Sequence, residues 1–153
     1  TSLKLRTELP PFEGATAWIN GQVEQQLLVG DKPILVHFWS VSCRLCKVGM
    51  DKVNHFRDQY KDDLHVVAVH MPRSTEDMDL EKIERDAKQY NITQPIFVDG
   101  DLKLTKSFDN KYVPAYYLFD KTGILRHYQA GASSMNMLEK RLNRLLEEAP
   151  ITK

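Results

Sequence analysis

Short apolar blocks alternate along the chain with longer mixed segments, and the period of each segment predicts its backbone. Lys32–Ser40 (KPILVHFWS) is β-branched and aromatic with few polar breaks. Such a run reads as a strand buried on both faces, in the middle of a sheet. Leu64–Met71 (LHVVAVHM) reads the same way. Between them the pattern turns helical. From Cys43 to about Tyr60, the residues Cys46, Met50, Val53 and Phe56 recur at helical spacing. Asp79–Tyr90 is a polar, amphipathic helix with Leu80, Ile83 and Ala87 on one face. Pro95–Asp99 predicts a short strand and Asp101–Phe108 a helix. Val113–Gly131 predicts a hairpin around Asp120-Lys121-Thr122-Gly123, with glycine at a turn position. Met135–Glu148 predicts a closing helix whose apolar stripe is Leu138, Leu142, Leu145 and Leu146. Upstream, Glu8–Gly21 is rich in Pro and Gly and reads as turns with a short extended piece. Gln22–Val29 reads as a short helix closed by Gly30.

The order from Lys32 onward is strand, helix, strand, helix, short strand, helix, then a hairpin and a last helix. Strands that alternate with helices need parallel pairing and right-handed crossovers, and the late hairpin adds antiparallel pairs. The expected fold class is α/β, a central mixed β-sheet flanked by helices on both faces, with an N-terminal extension. No repeat or linker divides the 153 residues, so a single domain over 1–153 is expected.

Bulk composition narrows the function. Hydrophobic residues make up 42% and charged residues 27%, ordinary for a soluble globular domain. Lys+Arg and Asp+Glu are both 21, and a zero net charge argues against a nucleic-acid partner. No apolar run approaches the roughly 18 residues of a membrane helix, so no membrane partner is expected. The start, TSLKLRTELPPFEG, has no apolar stretch of signal-peptide type. A cytoplasmic address is therefore expected, or an extracytoplasmic one if an N-terminal signal was trimmed. Two cysteines are too few for a disulfide-stapled scaffold.

Those two cysteines, Cys43 and Cys46, carry the candidate chemistry. They fall where a central strand hands over to a helix, the usual place for chemistry in an open α/β sheet. Cysteines three apart in a first helical turn have Cα atoms about 5–6 Å apart, the separation a disulfide needs. Cys43 would sit at or near the N-cap, where free amides and the helix dipole favour its thiolate. Helix N-termini lower a cysteine pKa from about 8.5 toward roughly 3.5–7.5. Arg44 adds a cation beside it. Cys46, one turn deeper, would resolve a mixed disulfide. Two other readings remain. A structural zinc site needs four ligands, but there is no second CxxC, and His65 and His70, five apart on one strand, face opposite sides. No metal and no cofactor are therefore expected. Inert core cysteines are the second alternative, and the strand-to-helix position counts against them.

The stretch FWSVSCRLCK (Phe38–Lys47) resembles the active site of the thioredoxin superfamily, in particular its TlpA/DipZ-like branch. The likeness continues through VVAVHMPRS, ITQPIFVD, YVPAYYLFDKTG and LRHYQAG, in order, from about Leu5 to Leu146. It implies a thioredoxin fold and a cis Val113-Pro114 peptide facing the cysteines. It also implies substrate contacts at Trp39, Val113, Pro114 and Gly131, with the Val113 backbone pairing to an extended substrate segment. The implied activity is thiol–disulfide oxidoreduction of protein disulfides, as a reductant. An upstream dithiol donor, such as a thioredoxin-reductase-like enzyme, and a monomeric state go with it. Disulfide oxidation or isomerisation, peroxide reduction and non-catalytic peptide binding are the alternatives. Several positions depart from the common pattern. Ser42 and Leu45 stand where many relatives have Trp and Pro, and Arg73 where a Glu is often found. His37 takes the place of a buried Asp, which makes it a candidate acceptor for the Cys46 proton.

Overall fold

The computed structural model describes residues 2–148, and the ends of the expected 1–153 domain, residue 1 and residues 149–153, lie outside them. Six strands form one sheet in the order β1-β4-β3-β2-β5-β6. The two apolar runs become the central strands β2 (Ile34–Trp39) and β3 (His65–His70), paired in parallel. Every β2 residue is buried, as a strand covered on both faces must be. β4 (Ile96–Val98) continues the parallel set beside β3. The hairpin strands β5 (Ala115–Phe119) and β6 (Leu125–Ala130) run antiparallel on the other side of β2. The fold class is α/β with a mixed sheet, as the pattern implied, in the thioredoxin-like arrangement that the resemblance implied.

Alternation along β2 divides the interior into two layers. Leu35 and Trp39 join the cluster built with α2 (Arg44–Gln59), α3 (Leu80–Gln89) and α5 (Met135–Glu148). Ile34, Val36 and Phe38 join the opposite cluster with Leu28 of α1 (Gln25–Leu28) and Leu104 of α4 (Lys103–Ser107). In that second layer Phe38, Phe108 and Tyr117 pack edge to face at 4.9–5.6 Å.

Two elements differ from expectation. The extended piece before Gly21 is a true edge strand, β1 (Ala17–Ile19), antiparallel to β4. Trp18 fixes it by stacking edge-on to Phe97 at 5.2 Å, and Asn20 Nδ2 donates to the carbonyls of Ile92 and Gln94. The short helix is confined to Gln25–Leu28, because Glu24 and Val29 are extended and Gly30 has φ 124°.

Gly49 locks α2 to the sheet. A Cβ added there would lie 2.7 Å from the hydroxyl of Tyr116, a ring that is 1% exposed and paired across the sheet with His37. Gly49→Ala should therefore destabilise the fold by about 1 kcal/mol net, overpacking outweighing the helix propensity gained. Urea unfolding of the oxidised protein measures it; equal or greater stability would show that Tyr116 moves aside freely.

Candidate active site

β2 ends at Trp39, and the chain turns through Ser40–Ser42 into α2. Cys43 is the N-cap residue of α2, and its Sγ accepts from the Cys46 amide at 3.1 Å. This is the first-turn geometry that spacing predicted. Cys43 and Cys46 are joined as a disulfide, with Cα atoms 5.3 Å apart. Both are almost covered, at 3% and 1% exposure, among Trp39, Val41 and Met50.

The β2–β5 register brings the second predicted element to the same end of the sheet. Ala115 lies opposite Phe38, so Pro114 stands level with the end of β2, where the chain leaves toward Cys43. The Val113-Pro114 peptide is cis. Val113 is half-buried and packs against the cluster that holds both cysteines. Gly131, half-buried with φ 85°, donates its N–H to the Pro114 carbonyl at 2.8 Å. Cys43, Cys46, Val113, Pro114 and Gly131 thus gather at one rim.

Three expected site residues have other surroundings. Trp39 is 1% exposed and packs edge-on against His70 at 5.0 Å, so it lines the underside of the dithiol and offers a substrate no surface. His37 is engaged away from the cysteines. Arg57 Nη1 donates to Gln94 Oε1 at 2.7 Å, which turns the Gln94 amide nitrogen toward His37 Nε2 at 2.8 Å. That amide can only donate, so Nε2 accepts and the ring proton sits on Nδ1. Burial, helped by the Arg57 charge, pushes His37 down to about 3. Its fixed acceptor role makes it a poor carrier for the Cys46 proton. Arg44 is exposed, and its side chain has no hydrogen bond or ion pair among the described residues.

The cation at the site is instead Arg73, after β3. Its Nε donates to Ser42 Oγ at 3.1 Å and its Nη2 to the Ser42 carbonyl at 2.7 Å. Beside it lies a carboxylate from just ahead of the polar helix expected over Asp79–Tyr90. Asp77, in the 3-10 turn Thr75–Met78, is 1% exposed. One oxygen, Oδ2, accepts from Ser40 Oγ (2.9 Å), Ser42 Oγ (2.7 Å) and Arg73 N (2.8 Å). Burial pushes its carboxyl up, but the hydrogen bonds from Arg73 N, Ser42 and Ser40 outweigh this and leave it below the usual range. His70 completes the support: its Nε2 accepts from the Val41 amide at 3.2 Å. The segment 70–77 thereby holds residues 40, 41 and 42 of the turn that presents Cys43. No linear signal marks Asp77; only the crossover from β3 brings it to the serines. His65, the other half of the suspected zinc pair, bonds Asp31 instead. Among the described residues no group of three or more His, Cys, Asp or Glu side chains is arranged to hold a metal ion.

A buried, reversible dithiol at the carboxyl end of a central strand, beside a cis proline, defines a thioredoxin-like thiol–disulfide oxidoreductase. A family model described as Redoxin matches residues 6–146, and the chain belongs to that family. It is 60% identical to the thiol-disulfide oxidoreductase YkuV of Bacillus subtilis, over 95% of this chain and 99% of that protein. It is 31% identical to the protein DipZ of Mycobacterium bovis, over 92% of this chain but only 21% of DipZ. A solution structure of a thioredoxin-like protein in its oxidised form superposes with a TM-score of 0.89 at 60% identity, covering 96% of this chain and 99% of that one.

Proposed function

We propose that the protein reduces disulfides in other proteins, with Cys43 as nucleophile and Cys46 as resolving thiol. The Cys43 thiolate attacks one sulfur of the substrate disulfide, and the other sulfur leaves as a thiolate and takes up a proton. Cys46, deprotonated, then attacks Cys43 Sγ. That releases the second substrate thiol and forms the Cys43–Cys46 disulfide, so two electrons pass to the substrate. Val113, Pro114 and Gly131 form the rim on which an extended substrate segment would pair. A dithiol donor, such as a thioredoxin-reductase-like enzyme, would restore the reduced pair. A monomer working in the cytoplasm fits this cycle.

The observation that carries the reductive direction is the burial of Cys43. The thiolate of the reduced form is favoured by the helix N-terminus but must form in an apolar cluster that excludes water. A poorly stabilised thiolate makes the dithiol give up electrons more readily. Equilibration in dithiothreitol or glutathione buffers reads the potential. The expected value is near or below the approximately −270 mV of thioredoxin. A value above about −200 mV would make the protein an oxidant or isomerase instead.

A further inference from the structure

Asp77 is an unusual object beneath the turn that presents Cys43. It is buried, yet no lysine, arginine or histidine among the described residues makes an ion pair with it. Among the described residues its Oδ2 is held by two serine hydroxyls and one backbone amide. Burying a carboxylate without a counter-charge is unfavourable unless something else uses it. One of those serines, Ser42, immediately precedes Cys43. On the outer side of Ser42 lies the opposite charge, with the Arg73 guanidinium bonded to both the hydroxyl and the carbonyl. Ser42 is therefore clasped between an anion from within and a cation from without, and both charges come from the segment that follows β3.

We propose that Asp77 and Arg73 are opposed positioning residues that set the reactivity of Cys43, Asp77 opposing its thiolate and Arg73 favouring it. The inference rests on the reading of Cys43 as the nucleophile. Because the interior screens poorly, a fixed charge close to the sulfur is felt more strongly than the same charge in water. The other groups around the turn leave these two in control. His70 is neutral, because its Nε2 lone pair is taken by the Val41 amide and burial pushes it down to about 4. Asp86 on α3 is paired with Lys47 at 3.1 Å. Arg44, on α2 itself, extends into solvent. The resting balance thus favours a protonated, strongly reducing Cys43.

The test is alkylation of the fully reduced protein by iodoacetamide across pH 5–10, with the labelled cysteine identified by peptide mass. Asp77→Asn keeps an acceptor for the serines but removes the charge. It is expected to lower the Cys43 thiolate pKa by about one unit, so the rate at pH 6 rises about tenfold. Measured at pH 8.5, where the thiolate counts in the equilibrium, the potential should become less negative. Arg73→Gln should shift the rate the other way by a few fold, and Arg73→Lys should restore it. Both variants moving in the same direction would mean that the clasp acts by packing alone, and unchanged rates would remove any electrostatic role; either overturns the inference. If Asp77→Asn does not fold, the exposed Arg73 variants still decide, because a rate equal to or above the parent's in Arg73→Gln has the wrong sign. Labelling at Cys46 in place of Cys43 would instead overturn the assignment of the nucleophile.

Discussion

Replacing Cys46 with alanine should convert the protein from a catalyst into a trap. With Cys46 gone, Cys43 still attacks a substrate disulfide, but no second sulfur lies one helical turn away to release the product. The intramolecular step has the advantage of proximity, since the two Cα atoms are 5.3 Å apart. Well-oriented intramolecular reactions reach effective molarities of about 10⁵ M or more. External thiols at millimolar concentration replace that poorly, so turnover should fall by about 10³-fold or more. The Cys43–substrate mixed disulfide should accumulate and be visible as a covalent adduct of intact mass, cleaved by dithiothreitol. Cys43→Ala should lose turnover equally but form no adduct at the remaining site. The asymmetry is the decisive feature. Equal trapping by both variants would mean that either sulfur attacks, which contradicts the N-cap placement of Cys43 and the deeper burial of Cys46. Retained binding of peptide with no adduct in either variant would mark a peptide-binding module whose cysteines are incidental.

How much of this site was legible in the chain differs residue by residue, and the differences have physical causes. The dithiol and its position were legible because they depend on local rules: a doubly buried strand, a change of period from two to 3.6, and an N-cap. The mixed character of the sheet followed from the alternation of elements and the late hairpin, whereas the order of its strands is seen only in the structure. The cis peptide at Val113-Pro114 and the rim around Gly131 came from resemblance to the thioredoxin superfamily, since nothing in composition marks one proline among seven. What local reading misjudged were charges. Arg44 adjoins Cys43 in sequence, but a residue beginning a helix projects outward, and its side chain is solvated. Arg73 and Asp77 lie about 30 positions from the cysteines in sequence and reach the turn through the crossover after β3. Asp77 sits within an acidic run, EDMD, whose average character is that of a solvated face. One member of such a run can be buried when the 3-10 turn points it at hydroxyl donors, and periodicity does not detect that. His37 shows the reverse case. Its place at the position of a buried Asp suggested proton transfer, whereas Gln94 and Arg57, from other elements, fix it as a neutral acceptor.

That fixed neutrality makes the fold acid-sensitive well above the carboxylate range. In the unfolded chain both His37 and His70 take up a proton near the ordinary histidine value of 6.5. In the folded protein burial, assisted by Arg57, pushes His37 down to about 3. Burial also pushes His70 down to about 4, against the opposing pull of Asp77. Between these values the unfolded state binds more protons than the native state, so stability falls as pH falls. The loss begins near pH 6.5 and, for His70, levels off below about 4. At pH 5 each histidine should contribute a loss of about 2 kcal/mol, hence about 4 kcal/mol for the pair. The lowered carboxyls of Asp77 and Asp120 add to this only at more acid pH, below the ordinary carboxylate value. Urea unfolding of the oxidised protein at pH 7, 6 and 5 should therefore show a steep fall in stability over a range where carboxylates still hold their charge. His37→Gln isolates one half of the effect. Glutamine offers Gln94 an acceptor that does not titrate, so this variant should start less stable at pH 7 from imperfect packing. It should then lose about 2 kcal/mol less than the parent between pH 7 and 5. Parallel pH profiles for parent and variant would mean that His37 is protonated in the native state. That would free Nε2 from Gln94 and return the imidazole to candidacy as a proton carrier beneath the dithiol.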